Sequence, residues 1–151
     1  LRHPKCVSGI EDFTGDTSFE ELLDDPAVDT KEKAKDIRRV LYCSGKIYYD
    51  LLEHKEEHGH DDVAIVRLEQ LYPLPSEQLE EVKEKYGDAE RYWVQEEPSN
   101  MGGWQYMNAI YAEMPFELVA RKSSASPATG FKKVHDQQQE DILKRAFAKG
   151  D

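Results

Sequence analysis

Asp62-Val63-Ala64-Ile65-Val66-Arg67-Leu68-Glu69-Gln70-Leu71-Tyr72-Pro73-Leu74-Pro75 is the stretch whose reading decides the fold. Val63 to Val66 are continuously apolar instead of alternating. A strand of that kind is buried on both faces, which means a mostly parallel sheet between two layers of helices. Ile65, at its middle, is expected to be fully buried. Glu69, Gln70 and Tyr72 fall at the end of the strand, and the carboxyl end is where open α/β sheets meet ligands and partners. Pro73 and Pro75 stop the extended run, and Pro75 suits the first position of a following helix.

The pattern repeats outward from this unit. Before it, Arg39 to Cys43 reads as a strand, and Ser44-Gly45-Lys46 turns into a helix with Ile47, Tyr48, Leu51 and Leu52 on one stripe. Glu53 to Gly59 reads as the solvated end of that helix, closed by Gly59. After it, Leu79, Val82 and Tyr86 mark a helix that Gly87 ends. Tyr92 to Gln95 is a strand running into Glu96-Glu97-Pro98, and Gly102-Gly103 reads as a helix start pressed against the sheet. Trp104, Met107, Ile110, Tyr111 and Met114 then follow a helical stripe. Phe116 to Ala120 forms a further strand, Arg121 to Gly130 a small-residue loop, and Asp136 to Ala148 a closing helix. The fold class is therefore α/β, a three-layer α/β/α sandwich with a mostly parallel sheet of about five strands.

Residues 37–151 are expected to form this domain, with residues 1–36 an acidic lead-in or interdomain segment. Thr17 to Leu23 is expected to form a helical turn there, since Thr17 and Glu20 fit a capping box. The opening Leu1-Arg2-His3-Pro4 reads as the middle of a longer polypeptide. A net charge of -11 with 34% charged residues argues against nucleic acid or an anionic membrane as partner. Cys6 and Cys43 are too few for a disulfide framework and read as reduced thiols of a cytosolic-type compartment.

Motifs that carry chemistry are sparse. His54 and His58 lie one helical turn apart with His60 close by, but His-Lys-Glu-Glu-His is not the zinc pattern His-Glu-x-x-His. Glu96 and Glu97, adjacent on a strand, face opposite ways and make a poor acid/base pair. The most suggestive polar set lies at the carboxyl edge: Ser44, Lys46, Gln70, Asn100, Arg121, Lys122 and the serines that follow. It reads either as a hydrogen-bonded interdomain surface or as a site for an anionic nucleotide effector or an acidic neighbouring domain. Arg121 leads that second reading, with Lys122 and Lys46 behind it, because a guanidinium grips a phosphate with two hydrogen bonds. The competing view pairs Arg121 with Glu96 or Glu97.

Tyr42 to Leu52, Val63 to Pro75, Gln95-Glu96-Glu97-Pro98, and Ser124-Ala125-Ser126-Pro127-Ala128 with Val134-His135 closely resemble the carboxyl-terminal part of the 2-oxoglutarate dehydrogenase family. The looser pattern is shared by transketolase carboxyl-terminal domains generally, and Ser124 to Ala128 points to the 2-oxoglutarate branch. The acidic stretch from Asp12 to Asp36 matches least. The resemblance implies a structural and dimerisation domain of a thiamine-diphosphate-dependent enzyme. Its thiamine diphosphate and magnesium are held by other domains, so no catalytic, cofactor or metal residue is assigned here. The parent reaction decarboxylates 2-oxoglutarate and passes succinyl to the lipoyl arm of the succinyltransferase component. Implied partners are the remaining domains, a homodimer mate, the succinyltransferase and dihydrolipoyl dehydrogenase components, and a nucleotide effector. The implied location is the bacterial cytoplasm, or the mitochondrial matrix in a eukaryote. The alternatives are a domain of a related transketolase or pyruvate dehydrogenase component, and a stand-alone nucleotide-binding regulatory module.

Overall fold

The computed structural model describes residues 3–110 and 115–149. A five-stranded sheet runs in the order β1-β3-β2-β4-β5, formed by Leu22–Leu23, Val63–Leu68, Arg39–Cys43, Glu90–Pro98 and Glu117–Arg121 respectively. Only β1 is antiparallel; β3, β2, β4 and β5 run parallel. The helices are α1 (Lys31–Lys35), α2 (Ile47–His58), α3 (Ser76–Tyr86), α4 (Trp104–Ile110) and α5 (Lys132–Phe147).

Alternate strand residues feed two separate cores, as the two-residue period of a strand requires. Val40, Tyr42, Ala64, Val66 and Trp93 meet Ala34 of α1, Leu79 and Val82 of α3, and Met107 of α4. Leu41, Cys43, Val63, Ile65, Val94 and Val119 meet Ile47 and Leu51 of α2, and Ile142 and Phe147 of α5. Ile65 is 1% exposed, so the continuously apolar strand is buried on both faces as expected, although β2 and not β3 is the middle strand of the sheet. Burial pushes the Cys43 thiol up to about 12, which leaves it unreactive.

The helical turn expected over Thr17 to Leu23 does not form. Leu22 and Leu23 pair instead with Leu68 and Arg67 of β3, and the Glu21 carbonyl accepts from Glu69 N at 2.9 Å and Gln70 N at 3.1 Å. A short helix nucleates poorly, whereas an open strand edge offers an aligned row of partners. Beyond β1, Asp25 is buried, and Val28 and Ala34 join the core under α3. Packing is thus continuous across residue 36.

Other boundaries shift. The last strand carries one residue further than expected and takes in Arg121, and α5 begins at Lys132, four residues before the expected Asp136. Ile110, placed on the buried stripe of its helix, is 53% exposed, and Tyr111 and Met114 of that stripe lie outside the described residues. The end of α2 is not wholly solvated either, since Lys55 is 7% exposed. At the amino edge of the sheet, Arg38 donates to Phe147 O at 3.0 Å and Arg39 to Ala146 O at 2.9 Å. Two cations thereby satisfy the free carbonyls, and the negative end, of α5.

Candidate functional site

The strand order places a topological switch point between β2 and β4. From β2 the chain crosses through α2 to β3 on one side, then through α3 to β4 on the other. The loops leaving β2 and β4 therefore diverge and open a crevice at their carboxyl ends. It measures about 540 Å³ and is lined by Ser44, Leu71, Tyr72, Gln95, Gly103 and Tyr106, among others.

Gln95, 4% exposed, organises its floor. Its Oε1 accepts from Trp93 Nε1 at 2.8 Å and Trp104 N at 3.0 Å, and its Nε2 donates to Met101 O at 2.7 Å and Pro98 O at 3.1 Å. The glycine pair is required by this bracing. Gly102 has φ of 71°, and a Cβ there would meet the Gln95 amide at 2.9 Å; one on Gly103 would meet Trp93 at 2.9 Å. Lys46 opens α2, where Asp50 takes its charge at 2.7 Å and Glu96 at 3.0 Å. Glu97, one residue on, is exposed, so the two carboxylates do face opposite ways. Gln70, expected at this edge, is turned to Glu21 Oε1 at 3.1 Å and Pro73 O at 2.8 Å.

Arg121 and Lys122 belong to a second cluster at the end of β5. Arg121 is 8% exposed and donates through Nη2 to His135 Nδ1 at 3.0 Å and to Gln139 Oε1 at 3.4 Å. Lys122 is exposed, and both line a hollow of about 300 Å³ closed by the 123–130 loop. Asn100 steadies that loop, donating to Ser124 O at 2.9 Å and accepting from Ser124 N at 3.1 Å. The predicted polar set is thus divided: Ser44 borders the crevice, Lys46 is neutralised beside it, and Arg121 and Lys122 share a separate hollow. The pairing of Arg121 with Glu96 or Glu97 is replaced by two neutral partners, because Glu96 is taken by Lys46.

One feature escaped the sequence reading. Asp25 and Lys55, 6% and 7% exposed, form a buried ion pair at 2.6 Å. Asp25 Oδ2 also accepts from Ile65 N at 3.0 Å, and Oδ1 from Ala27 N at 2.9 Å. A lysine amid the polar run Glu53 to Gly59 gave no signal of burial, and its partner is 30 residues away. The three histidines noted in the sequence do come together, as a stack of imidazoles: His54 lies 4.1 Å from His58 and 5.6 Å from His60 by ring centroid, with Phe147 against His54 and His60. Among the described residues no three His, Cys, Asp or Glu side chains converge to hold a metal ion. No helix of the described residues is long and apolar enough to cross a membrane.

Residues 7–147 match the family described as 2-oxoglutarate dehydrogenase C-terminal. A "Multifunctional 2-oxoglutarate metabolism enzyme" of Mycobacterium sp. (strain JLS) is 40% identical over 156 residues, covering 98% of this chain and 12% of that protein. The "2-oxoglutarate dehydrogenase E1 component" of Azotobacter vinelandii is 40% identical over 156 residues, covering 97% of this chain and 16% of its own. That of Haemophilus influenzae is 38% identical over 154 residues, covering 98% and 16%. The chain therefore spans 12% to 16% of the length of these relatives.

Proposed function

Since the chain belongs to the 2-oxoglutarate dehydrogenase C-terminal family, we propose that it serves as a structural and dimerisation domain of a thiamine-diphosphate-dependent 2-oxoglutarate dehydrogenase. In that parent enzyme, thiamine diphosphate and magnesium supply the decarboxylation chemistry, and succinyl passes to the lipoyl arm of the succinyltransferase component. The remaining domains, a second copy and the dihydrolipoyl dehydrogenase component are the partners of this reading. Arg121 and Lys122 face an anion in it, either an effector or an acidic group of a neighbouring domain.

One observation carries the scaffolding role: the buried amide in the floor of the switch-point crevice, and the cation beside it, are spent on the fold itself. Gln95 uses both ends of its amide to brace the turn into α4, and Lys46 is shared by two carboxylates. A magnesium-diphosphate group needs carboxylate or carbonyl oxygens for the ion and unengaged donors for the phosphates. Among the described residues the crevice lining holds one carboxylate, Glu97, and no cation, so it does not fit such a group.

Calorimetric titration of the 151-residue chain with thiamine diphosphate and magnesium tests the reading. The chain should show a cooperative thermal transition and no binding at micromolar affinity. In the longer polypeptide, removal of this domain should convert the dimer to monomer in sedimentation. Micromolar cofactor binding by the isolated chain, or an unchanged dimer without it, overturns the proposal.

A further inference from the structure

Arg121 carries a buried charge that the described residues leave uncompensated. It is 8% exposed, and among the described residues only Nη2 of its three guanidinium nitrogens has partners, His135 Nδ1 and Gln139 Oε1. Nε is buried and bonded to nothing among the described residues. Both partners are neutral acceptors: a guanidinium can only donate, so His135 Nδ1 must present its lone pair. A cation in such surroundings is strongly disfavoured unless a counter-charge meets it.

The surroundings supply room and further donors in place of a carboxylate. Arg121 and Gln138 both line the hollow of about 300 Å³ and a neighbouring one of about 740 Å³. The one carboxylate among the lining residues, Asp141, is paired with Arg145 at 2.9 Å. Gln138 Oε1 is also buried without a partner among the described residues. An amide turned end for end keeps its shape, so the same side chain can present its N–H groups instead. Lys122 adds a second cation at the rim, and Ser124 brings a hydroxyl to the wall, while Ser126 and Thr129 donate theirs to Ala128 O and Phe131 O and stiffen the loop.

We propose that the cleft between the end of β5 and the 123–130 loop binds a phosphate group, with Arg121 as the buried donor and Lys122 as the flanking cation. The inference rests on the reading of Arg121 as facing an anion and narrows it. A tetrahedral oxyanion presents acceptors in several directions, which suits a guanidinium, an ammonium, an amide and a loop hydroxyl arranged around one small space. A planar carboxylate on a neighbouring domain engages the guanidinium fork and leaves the loop unused. With a net charge of -11 on the chain, an anion is repelled by most of the surface, so affinity depends on this local pair.

The test is a titration of the isotopically labelled chain with inorganic phosphate at constant ionic strength, following the arginine Nε–H resonances and the backbone amides of residues 123–130. The Arg121 resonance and the loop amides should shift saturably, with sulfate competing and chloride without effect. Arg121→Lys should weaken binding by about tenfold or more, as loss of a charge-assisted hydrogen bond predicts. Lys122→Ala should weaken it less. Gln138→Leu, which leaves the partners of Arg121 in place, should also weaken it, and Lys83→Ala on α3 should not.

Absence of a saturable shift overturns the site, as does equal affinity of the parent and Arg121→Lys. Saturable shifts from a glutamate-rich peptide but not from phosphate reject the oxyanion and return Arg121 to a contact with an acidic neighbour. None of these outcomes bears on the thiamine diphosphate titration or the dimer measurement, which decide the scaffolding role separately.

Discussion

Lys55 and Arg121 are both cations removed from solvent, and the domain treats them in opposite ways. Lys55, near the end of α2, is met by Asp25 at 2.6 Å, and that carboxylate is itself held by the amides of Ile65 and Ala27. Arg121, at the end of β5, is met by an imidazole and an amide, with the buried Nε unpartnered among the described residues. A buried charge whose counter-ion comes from the same domain fixes a packing arrangement. Here it ties the residues after β1 to α2 and to the backbone of β3. A buried charge without one has its partner still to come, and it stands at the carboxyl edge of the sheet, where α/β domains meet other molecules.

The largest effect on this contrast should come from Asp25→Ala. It strands Lys55 without a counter-charge and removes the acceptor of Ile65 N, so stability in urea unfolding should fall by about 3–5 kcal/mol. Replacing both partners, Asp25→Leu with Lys55→Met, should recover most of that loss. A loss in the double variant as large as in the single one would mean that the pair is not what holds the segment.

Next comes Gly103→Ala in the braced crevice. The added methyl meets Trp93 at 2.9 Å, and overpacking of this kind should cost about 1–3 kcal/mol by the same measurement. A neutral result would show that Trp93 has room to move and that the crevice floor is softer than the Gln95 bonds imply.

Arg121→Met should lie near zero or be slightly stabilising, because it exchanges an uncompensated buried charge for an apolar chain of similar length. A loss comparable to that of Asp25→Ala would erase the difference between the two cations and make Arg121 a structural residue.

The smallest effect is expected from pH, through the imidazole stack at the end of α2. Burial first, and then the neighbouring imidazoles, hold His54 below the usual imidazole range; burial does the same for His60. A depressed histidine is neutral in the folded state while the unfolded chain takes up the proton first. Its contribution is therefore whole above about pH 6.5 and is lost as pH falls below that value. The urea midpoint should decline from pH 7 towards pH 5.5, and His54→Gln should flatten the decline. An unchanged slope in the variant would remove the stack from the account.

Local sequence determined the parts of this protein that repeat every few residues. The unbroken run Val63 to Val66 fixed a strand buried on both faces, and the stripe Leu79, Val82 and Tyr86 placed α3 against the sheet. Tyr42 to Leu52 with Ser124 to Ala128 carried the family. A period needs only a dozen residues to be read, and burial of an apolar face follows from it directly. Tertiary structure alone decided where the charges went. Leu22 and Leu23 became a strand because the edge of β3 was open, and Lys55 is buried because Asp25 reaches it from 30 residues away. Arg121 and Lys46 looked alike in the sequence, each a cation at a strand's end. What separates them is that Glu96, from the neighbouring strand, reaches Lys46 at 3.0 Å while His135 and Gln139 of α5 reach Arg121. The energy of a charge depends on everything within a few ångströms of it, and no stretch of chain contains that information.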